Sequence, residues 1–215
     1  MEAVGEFTKE MWTEVEDVYK QILECEFTQA LAKGNLSEKA FKHYLAQDVL
    51  YMKEDAECLM RMSKRSNVPE EKDFFYKMST DCVEIEEILH NDFMKYFDIT
   101  PAKRLSPAFK EYCDFLDVNT KKEEYFLGVA ALLPCFWLYG KVGIWVLSHH
   151  NENNKYKKFI DTYSGDDYIN YTRTFIQIME NQAKNLDSIS KKKIFSVFRK
   201  SCIHELKVFE ESTNL

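Results

Sequence analysis

A cysteine follows a proline directly in the segment AALLPCFWLYGKVG, residues 130–143, the most apolar part of the chain. Pro134 has no N–H to donate to the carbonyl of Ala130, so the sequence predicts a kinked helix with extra space beside Cys135. Tyr139 is four residues further on and shares that face. Burial raises the pKa of a thiol above its usual value of about 8.5, so a nucleophilic Cys135 needs a base or a substrate beside it. The alternative is a cysteine that only packs as a small hydrophobe.

Two carboxylates interrupt apolar helix faces. Asp48 belongs to a face whose residues are spaced three and four apart, and Tyr51 follows it by three residues. Glu205 has the same setting near the end of the chain. The apolar neighbours are Phe41, Tyr44, Leu45 and Met52 around Asp48, and Phe195, Phe198, Cys202 and Phe209 around Glu205. A buried acid requires hydrogen bonds, and its raised pKa suits it to donate a proton near neutral pH. From the residues alone, a structural bond explains either acid as well as catalysis does.

Other chemical signatures are weaker. Glu87 and His90 form one Glu-x-x-His element, whereas di-iron bundles need two, and a helix surface explains the pair better. His149 and His150 follow an apolar helical segment, and histidines suit the C-terminal end of a helix without a metal. The sequence contains no glycine-rich phosphate loop and no G-x-S-x-G motif. We therefore predict no metal site, no haem and no other cofactor.

The composition indicates a folded helical protein. The 215 residues include only 6 Gly and 4 Pro, so few helix breakers are present. A net charge of −7 argues against a nucleic-acid partner, because phosphates require a basic surface. None of the six cysteines forms a C-x-x-C pair, which favours reduced core cysteines and a cytoplasmic protein. The first residues do not form a secretory signal.

Residues 125–147 carry one charge, on Lys141, so a membrane span is an alternative for this segment. Pro134 and three glycines interrupt it, and we predict a buried central helix and no membrane. Hydrophobic periodicity elsewhere predicts an all-α bundle of seven or eight helices in a single domain spanning residues 1–215. The predicted helices cover residues 5–33, 38–66, 70–97, 107–118, 121–150, 154–161, 165–185 and 188–212.

Four segments, in order and spacing, resemble the TenA/thiaminase II family. GNLSEKAFKHYLAQDVLYM, residues 34–52, resembles the family's G-x-L-x-x-x-x-F-x-x-Y-L-x-Q-D-x-x-Y-L motif, and ALLPCFWLYGKVG resembles L-x-P-C-x-W-x-Y-x-x-x-G. KFIDTYSGDDY, residues 158–168, and SCIHELKVFEES, residues 201–212, resemble two less specific motifs. Tyr112 is assigned by its position in AFKEYCDFL. The resemblance covers nearly the whole chain.

The resemblance implies an all-α, haem-oxygenase-like multi-helix bundle that binds no haem and forms a homotetramer. It also implies a hydrolase of thiamin salvage. Its substrate would be 4-amino-5-aminomethyl-2-methylpyrimidine, or thiamin itself, and its product 4-amino-5-hydroxymethyl-2-methylpyrimidine.

The resemblance also implies residue roles. Cys135 adds to a ring carbon of the pyrimidine, Glu205 protonates the neighbouring ring nitrogen, and Asp48 binds the amino group and the other ring nitrogen. The aromatic residues stack on the ring or hydrogen-bond the thiol and the acid; they are Tyr51, Tyr112, Tyr139 and Tyr163.

The chain departs from the family pattern at three aromatic positions. Phe159 and Phe209 replace tryptophans and Phe136 replaces a tyrosine, which changes pocket packing more than chemistry. Cys135 favours the cysteine-dependent members of the family. Two other functions stay open from the sequence: a non-catalytic pyrimidine-binding or regulatory protein on the same fold, and a metal oxidase supported only by the single Glu-x-x-His element.

Overall fold

A computed structural model describes residues 1–88, 92–161 and 166–215, and it defines the side chains of all of these except residues 86–88, 166 and 167. Within these ranges the chain forms helices and no strand, as the sequence predicts. The helices are α1 (Glu6–Thr13), α2 (Glu16–Glu24), α3 (Glu26–Lys33), α4 (Glu38–Arg65), α5 (Pro69–Ile88), α6 (Met94–Tyr96), α7 (Pro107–Lys121), α8 (Tyr125–Leu132), α9 (Pro134–His149), α10 (Lys157–Ile160), α11 (Asp166–Ala183) and α12 (Ser188–Thr213).

The prediction of one helix over residues 5–33 is wrong, because three short helices occupy this stretch. Val15 leaves the helical region with φ −124° and ψ 4°, and Cys25 is extended with φ −64° and ψ 154°. Neither residue is Gly or Pro, so the sequence carries no local signal for these breaks. Tertiary packing explains them, since the changes of direction allow both α2 and α3 to contact α12.

Pro134 divides the predicted helix 121–150 into α8 and α9. Leu133 between them keeps helical torsion angles, with φ −58° and ψ −36°, so the interruption is local. The segment Tyr125–His149 is long and apolar enough to cross a membrane by length and composition, but 67% of its most apolar window is buried inside the fold. The segment is therefore buried in the core as the sequence predicts, but it forms two helices instead of one.

The core is organised around α8 and α12. Residues 129–132 of α8 and Leu133 after it have no exposed surface, and α12 contacts α2, α3, α4, α7, α8 and α9. Asp187 begins α12 by accepting the N–H of Ser190 at 2.7 Å, and Ser37 begins α4 by accepting the N–H of Ala40 at 3.1 Å. These N-caps satisfy donors that the first helical turn leaves free.

The start of α7 is tied to both α4 and α12. The Glu211 carboxylate on α12 accepts the N–H of Ala108 at 2.7 Å and the hydroxyl of Ser106. On α4, the Gln47 side chain accepts the N–H of Ser106 at 2.8 Å and donates to the carbonyl of Arg104 at 3.3 Å. These side chains fix three helices relative to one another at one end of α7.

Candidate active site

Five of the predicted site residues, together with Asp55, lie around one point between four helices. Asp48, Tyr51 and Asp55 come from α4, and Tyr112 comes from α7. Cys135 comes from α9 and Glu205 from α12. Direct contacts join Cys135 to Asp55 and Tyr112 to Glu205, and the ring of Tyr51 packs against that of Tyr112. Tyr139 lies one turn beyond Cys135, and Tyr163 lies outside the described residues.

The Cys135 thiol faces a carboxylate and a main-chain carbonyl. Its Sγ lies 3.8 Å from Oδ1 of Asp55 and 2.8 Å from the carbonyl oxygen of Leu132, with the thiol as donor in both contacts. Burial raises the pKa of the Cys135 thiol well above its usual range, and the charges of Asp55 and Glu205 raise it further. The hydroxyl of Tyr51 lowers this pKa but does not offset the burial. The thiol is therefore protonated in the free protein at neutral pH.

Glu205 is held as a neutral acid. Its side chain is 4% exposed, and the Tyr112 hydroxyl donates to its Oε1 at 2.8 Å. Burial raises the pKa of Glu205 to about 8, helped by the charges of Asp48 and Asp55, whereas the bond from Tyr112 lowers it. A carboxyl group with this pKa is mostly protonated at pH 7 and can act as a general acid.

Asp48 and Asp55 have pKa values between the usual value for an aspartate and that of Glu205. Burial raises the pKa of each to about 7. The thiol of Cys135 lowers the pKa of Asp55, and the charge of Asp48 raises it. In the described parts of the chain, no salt bridge from a lysine, arginine or histidine reaches Asp48, Asp55 or Glu205. Three neighbouring carboxyl groups without a cation cannot all ionise readily, so they share protons near neutral pH.

Aromatic side chains surround the acids and the thiol. The rings of Tyr51 and Tyr112 lie 5.2 Å apart, and the hydroxyl of Tyr51 is buried without a hydrogen bond of normal geometry to any described residue. The hydroxyls of Tyr44 and Tyr139 are 2.8 Å apart, and both rings lie nearly parallel to that of Phe209. A flat ligand with polar edges suits such a site, and it would satisfy the Tyr51 hydroxyl.

The predicted Glu-x-x-His element falls partly outside the described residues, which exclude His90 and the side chain of Glu87. Among the side chains that the structure does define, no group of three or more His, Cys, Asp and Glu residues is arranged to hold a metal ion. His149 ends α9, and its Nδ1 lies 2.8 Å from the carbonyl oxygen of Trp145. This contact satisfies a carbonyl of the last helical turn.

Sequence reasoning missed two residues of the site. Asp55 is seven residues, about two turns, after Asp48, so the same helical spacing that identifies Asp48 also places Asp55 on that face. Ser201 lies 3.1 Å from the Tyr112 hydroxyl and donates to the carbonyl of Ala131 at 2.6 Å. Ser201 is four residues before Glu205 on α12, but a serine on an apolar face carries no specific signal.

The model of the TENA/THI-4/PQQC family matches residues 12–214 of the chain. The chain is 28% identical over 213 residues to the thiamine biosynthesis multifunctional protein ThiED of Corynebacterium glutamicum, covering 99% of the chain but only 28% of that protein. It is 26% identical over 220 residues to the aminopyrimidine aminohydrolase of Staphylococcus aureus, covering 98% of the chain and 95% of that protein.

Solved structures share the fold. A TenA homologue from Pyrococcus furiosus superposes with a TM-score of 0.91 at 18% identity, covering 96% of this chain and 100% of that one. A domain with a heme oxygenase-like fold from Shewanella denitrificans gives a TM-score of 0.72 at 11% identity, covering 98% and 93% of the two chains. The all-α, haem-oxygenase-like architecture expected from the sequence is thereby confirmed.

Proposed function

The chain belongs to the TENA/THI-4/PQQC family, and from this membership and the Cys135 site we propose that it is an aminopyrimidine aminohydrolase of thiamin salvage. It would hydrolyse 4-amino-5-aminomethyl-2-methylpyrimidine to 4-amino-5-hydroxymethyl-2-methylpyrimidine and ammonia. The observation that carries the proposal is a thiol close to an acid that is neutral at pH 7, both between aromatic side chains. A binding protein needs neither a nucleophile nor a proton donor, so this combination favours catalysis.

Each polar edge of the substrate has a counterpart in the site. Asp48 is partly exposed, and a carboxyl group can pair with the 4-amino group and N3 of an aminopyrimidine through two parallel hydrogen bonds. Glu205 would donate its proton to N1 on the opposite edge, with Tyr112 holding its carboxyl group in place. The Tyr51 hydroxyl offers a further hydrogen bond, and Tyr139 and Tyr163 would line the ring.

The reaction begins with addition to the ring. The sulfur of Cys135 forms a bond to C6 as its proton leaves, and N1 takes the proton of Glu205. The ring thereby loses its aromaticity, and its electrons can expel the protonated amine on the exocyclic carbon as ammonia. Protonation of N1 makes C6 electron-poor, so a neutral Glu205 directly assists the attack.

Hydrolysis is completed by water. Water adds to the exocyclic carbon and gives a proton to the Glu205 carboxylate. The C6–S bond then breaks, the sulfur regains a proton, and the N1 proton is released to solvent. The sum is substrate plus water giving the alcohol and ammonium. With thiamin as substrate, the thiazole takes the place of ammonia as leaving group.

An ammonia-release assay with the aminomethylpyrimidine, run beside thiamin cleavage at equal concentration, tests the proposal. We expect turnover of the aminomethylpyrimidine, and a loss on the order of 10³-fold or more in Cys135→Ser, because a serine hydroxyl is a much weaker nucleophile. Cys25→Ser is the matched control, since Cys25 is also partly exposed but lies on the α2–α3 junction. Saturable pyrimidine binding without turnover in the unmodified protein would instead favour a binding or regulatory role.

We also propose, from the family resemblance, a single-domain cytoplasmic protein that assembles as a homotetramer. All six cysteines are free thiols, which suits a reducing compartment. Tyr76, Val83 and Ile85 on α5 expose 55%, 47% and 46% of their surface and offer apolar area for a subunit contact. Light scattering would test the assembly, and a mass equal to that of one chain would exclude it.

A further inference from the structure

We propose that Asp55 is the group that removes the proton from the Cys135 thiol when the sulfur attacks the ring, and that returns it when the sulfur leaves. The inference rests on the proposed function and adds a catalytic residue to it. It starts from the direct contact between the two side chains, in which the thiol donates to Oδ1 of Asp55 at 3.8 Å. A shortened contact on substrate binding would be enough for proton transfer.

The other groups near the thiol are poor bases. The carbonyl oxygen of Leu132 is closer, at 2.8 Å, but an amide oxygen does not hold a proton near neutral pH. Burial raises the pKa of the Tyr51 phenol well above its usual range, so it stays neutral. Glu205 has to begin the reaction protonated to serve N1. Asp55 is the acid with a direct hydrogen bond to the sulfur.

The surroundings of Asp55 allow it to exchange a proton near neutral pH. Burial raises its pKa to about 7, and its side chain is 4% exposed. The titratable groups that interact electrostatically with it lie on five helices: Asp48, Tyr51 and Cys58 on α4, Cys82 on α5, Cys113 on α7, Cys135 on α9 and Glu205 on α12. All of these groups are neutral or acidic, so none holds Asp55 permanently ionised.

The proton transfer balances within the reaction. The S–H bond breaks, the proton goes to Oδ1 of Asp55, and the sulfur lone pair forms the bond to C6. When that bond breaks after hydration, the sulfur keeps the electron pair and takes the proton back from Asp55. Neither step needs an oxidant, a reductant or a further reactant.

Alkylation of Cys135 by iodoacetamide tests the proton transfer without the substrate. In the unmodified chain we expect the rate, followed by site-resolved mass spectrometry, to level off above about pH 7, where Asp55 is ionised and assists attack. In Asp55→Asn we expect at least a roughly tenfold slower reaction at pH 7 that keeps rising with pH. If Asp55 acted only through its charge, its removal would lower the pKa of the thiol and accelerate alkylation. An equal or faster rate in Asp55→Asn therefore overturns the proposal.

Three comparisons complete the test. Glu54→Gln removes one negative charge from the neighbouring, exposed position on α4 and should leave the rate unchanged. Cys25 in the same protein reports the behaviour of a thiol without a carboxylate partner. If Asp55→Asn does not fold, as judged by circular dichroism, Asp55→Ser replaces it. The pH profile of the unmodified chain remains decisive, because a rate that rises steadily past pH 9 contradicts assistance by Asp55.

Turnover separates this proposal from the proposed function. Ammonia release by Asp55→Asn should fall by roughly 10²–10⁴-fold, with a steeper dependence on hydroxide. If the unmodified chain releases no ammonia but its alkylation depends on Asp55, the acid–thiol pair is supported and the proposed pyrimidine substrate is wrong. If Asp55→Asn shows full turnover, the proposed hydrolase function is supported and Asp55 is not the base.

Discussion

Replacing Glu205 with glutamine should change how stability depends on pH, and this can be measured without any substrate. Burial raises the pKa of Glu205 from 4.5 to about 8, so the folded chain keeps a proton that the unfolded chain loses above its lower pKa. The contribution to stability is complete below pH 4.5 and is lost as the pH rises toward 8. Glutamine is neutral at every pH and keeps an oxygen that can accept the Tyr112 hydroxyl.

The size of the effect follows from the two pKa values. Where only the folded chain holds the proton, each pH unit costs the native protein about 1.4 kcal/mol of unfolding free energy. Between about pH 5 and about pH 7.5, Glu205→Gln should therefore gain on the order of 3 kcal/mol relative to the unmodified chain. Protons shared with Asp48 and Asp55 reduce this figure. His204, whose pKa burial lowers to about 4, has the opposite pH dependence, but it is present in both proteins and cancels in the difference.

Urea unfolding of both proteins at the two pH values measures this difference, and Glu210→Gln on the exposed side of α12 serves as the control. The control should show the same pH dependence as the unmodified chain. If the gap between the unmodified chain and Glu205→Gln stays constant from pH 5 to pH 7.5, then Glu205 is ionised in the folded protein. In that case it cannot supply the proton to N1, and the proposed reaction loses its acid.

Two further predictions concern turnover. Tyr112→Phe removes a hydrogen bond that lowers the pKa of Glu205, so the alkaline limb of the pH–rate profile should move to higher pH; an unchanged limb would mean that this bond does not tune the acid. The hydroxyl of Ser201 stays bonded to the carbonyl of Ala131, so stability should change by only about 1 kcal/mol. Asp48→Ala should raise KM by roughly 10–100-fold with a smaller effect on kcat, because alanine removes both hydrogen bonds to the ring edge that Asp48 holds throughout the reaction. A loss confined to kcat in steady-state kinetics would instead give Asp48 a role in the chemical steps.

The fold was predictable where the sequence contains its own boundary signals. Ser37 and the left-handed Gly34, with φ 74°, mark the junction of α3 and α4, and Pro134 marks that of α8 and α9. The breaks at Val15 and Cys25 have no such signal, since ordinary side chains adopt non-helical torsion angles there to suit the packing of α2 and α3 on α12. Periodicity within a segment records which face is buried, but not where tertiary contacts divide the segment.

The candidate site was likewise predictable only in part from the spacing of residues along each helix. The spacing along α4 identifies Asp48 as an acid on an apolar face, and the identical argument extends two turns to Asp55. However, periodicity cannot say which buried acid faces the thiol, because that depends on how α9 is set against α4. The Glu211 and Gln47 side chains, which tie α7 to α12 and α4, fix the helices that carry Tyr112 and Glu205, although the sequence assigns neither of them a role. Side chains that bind no substrate therefore set the positions of the helices that carry the acids. Which acid faces the thiol follows from those positions, so it is seen only in the folded structure.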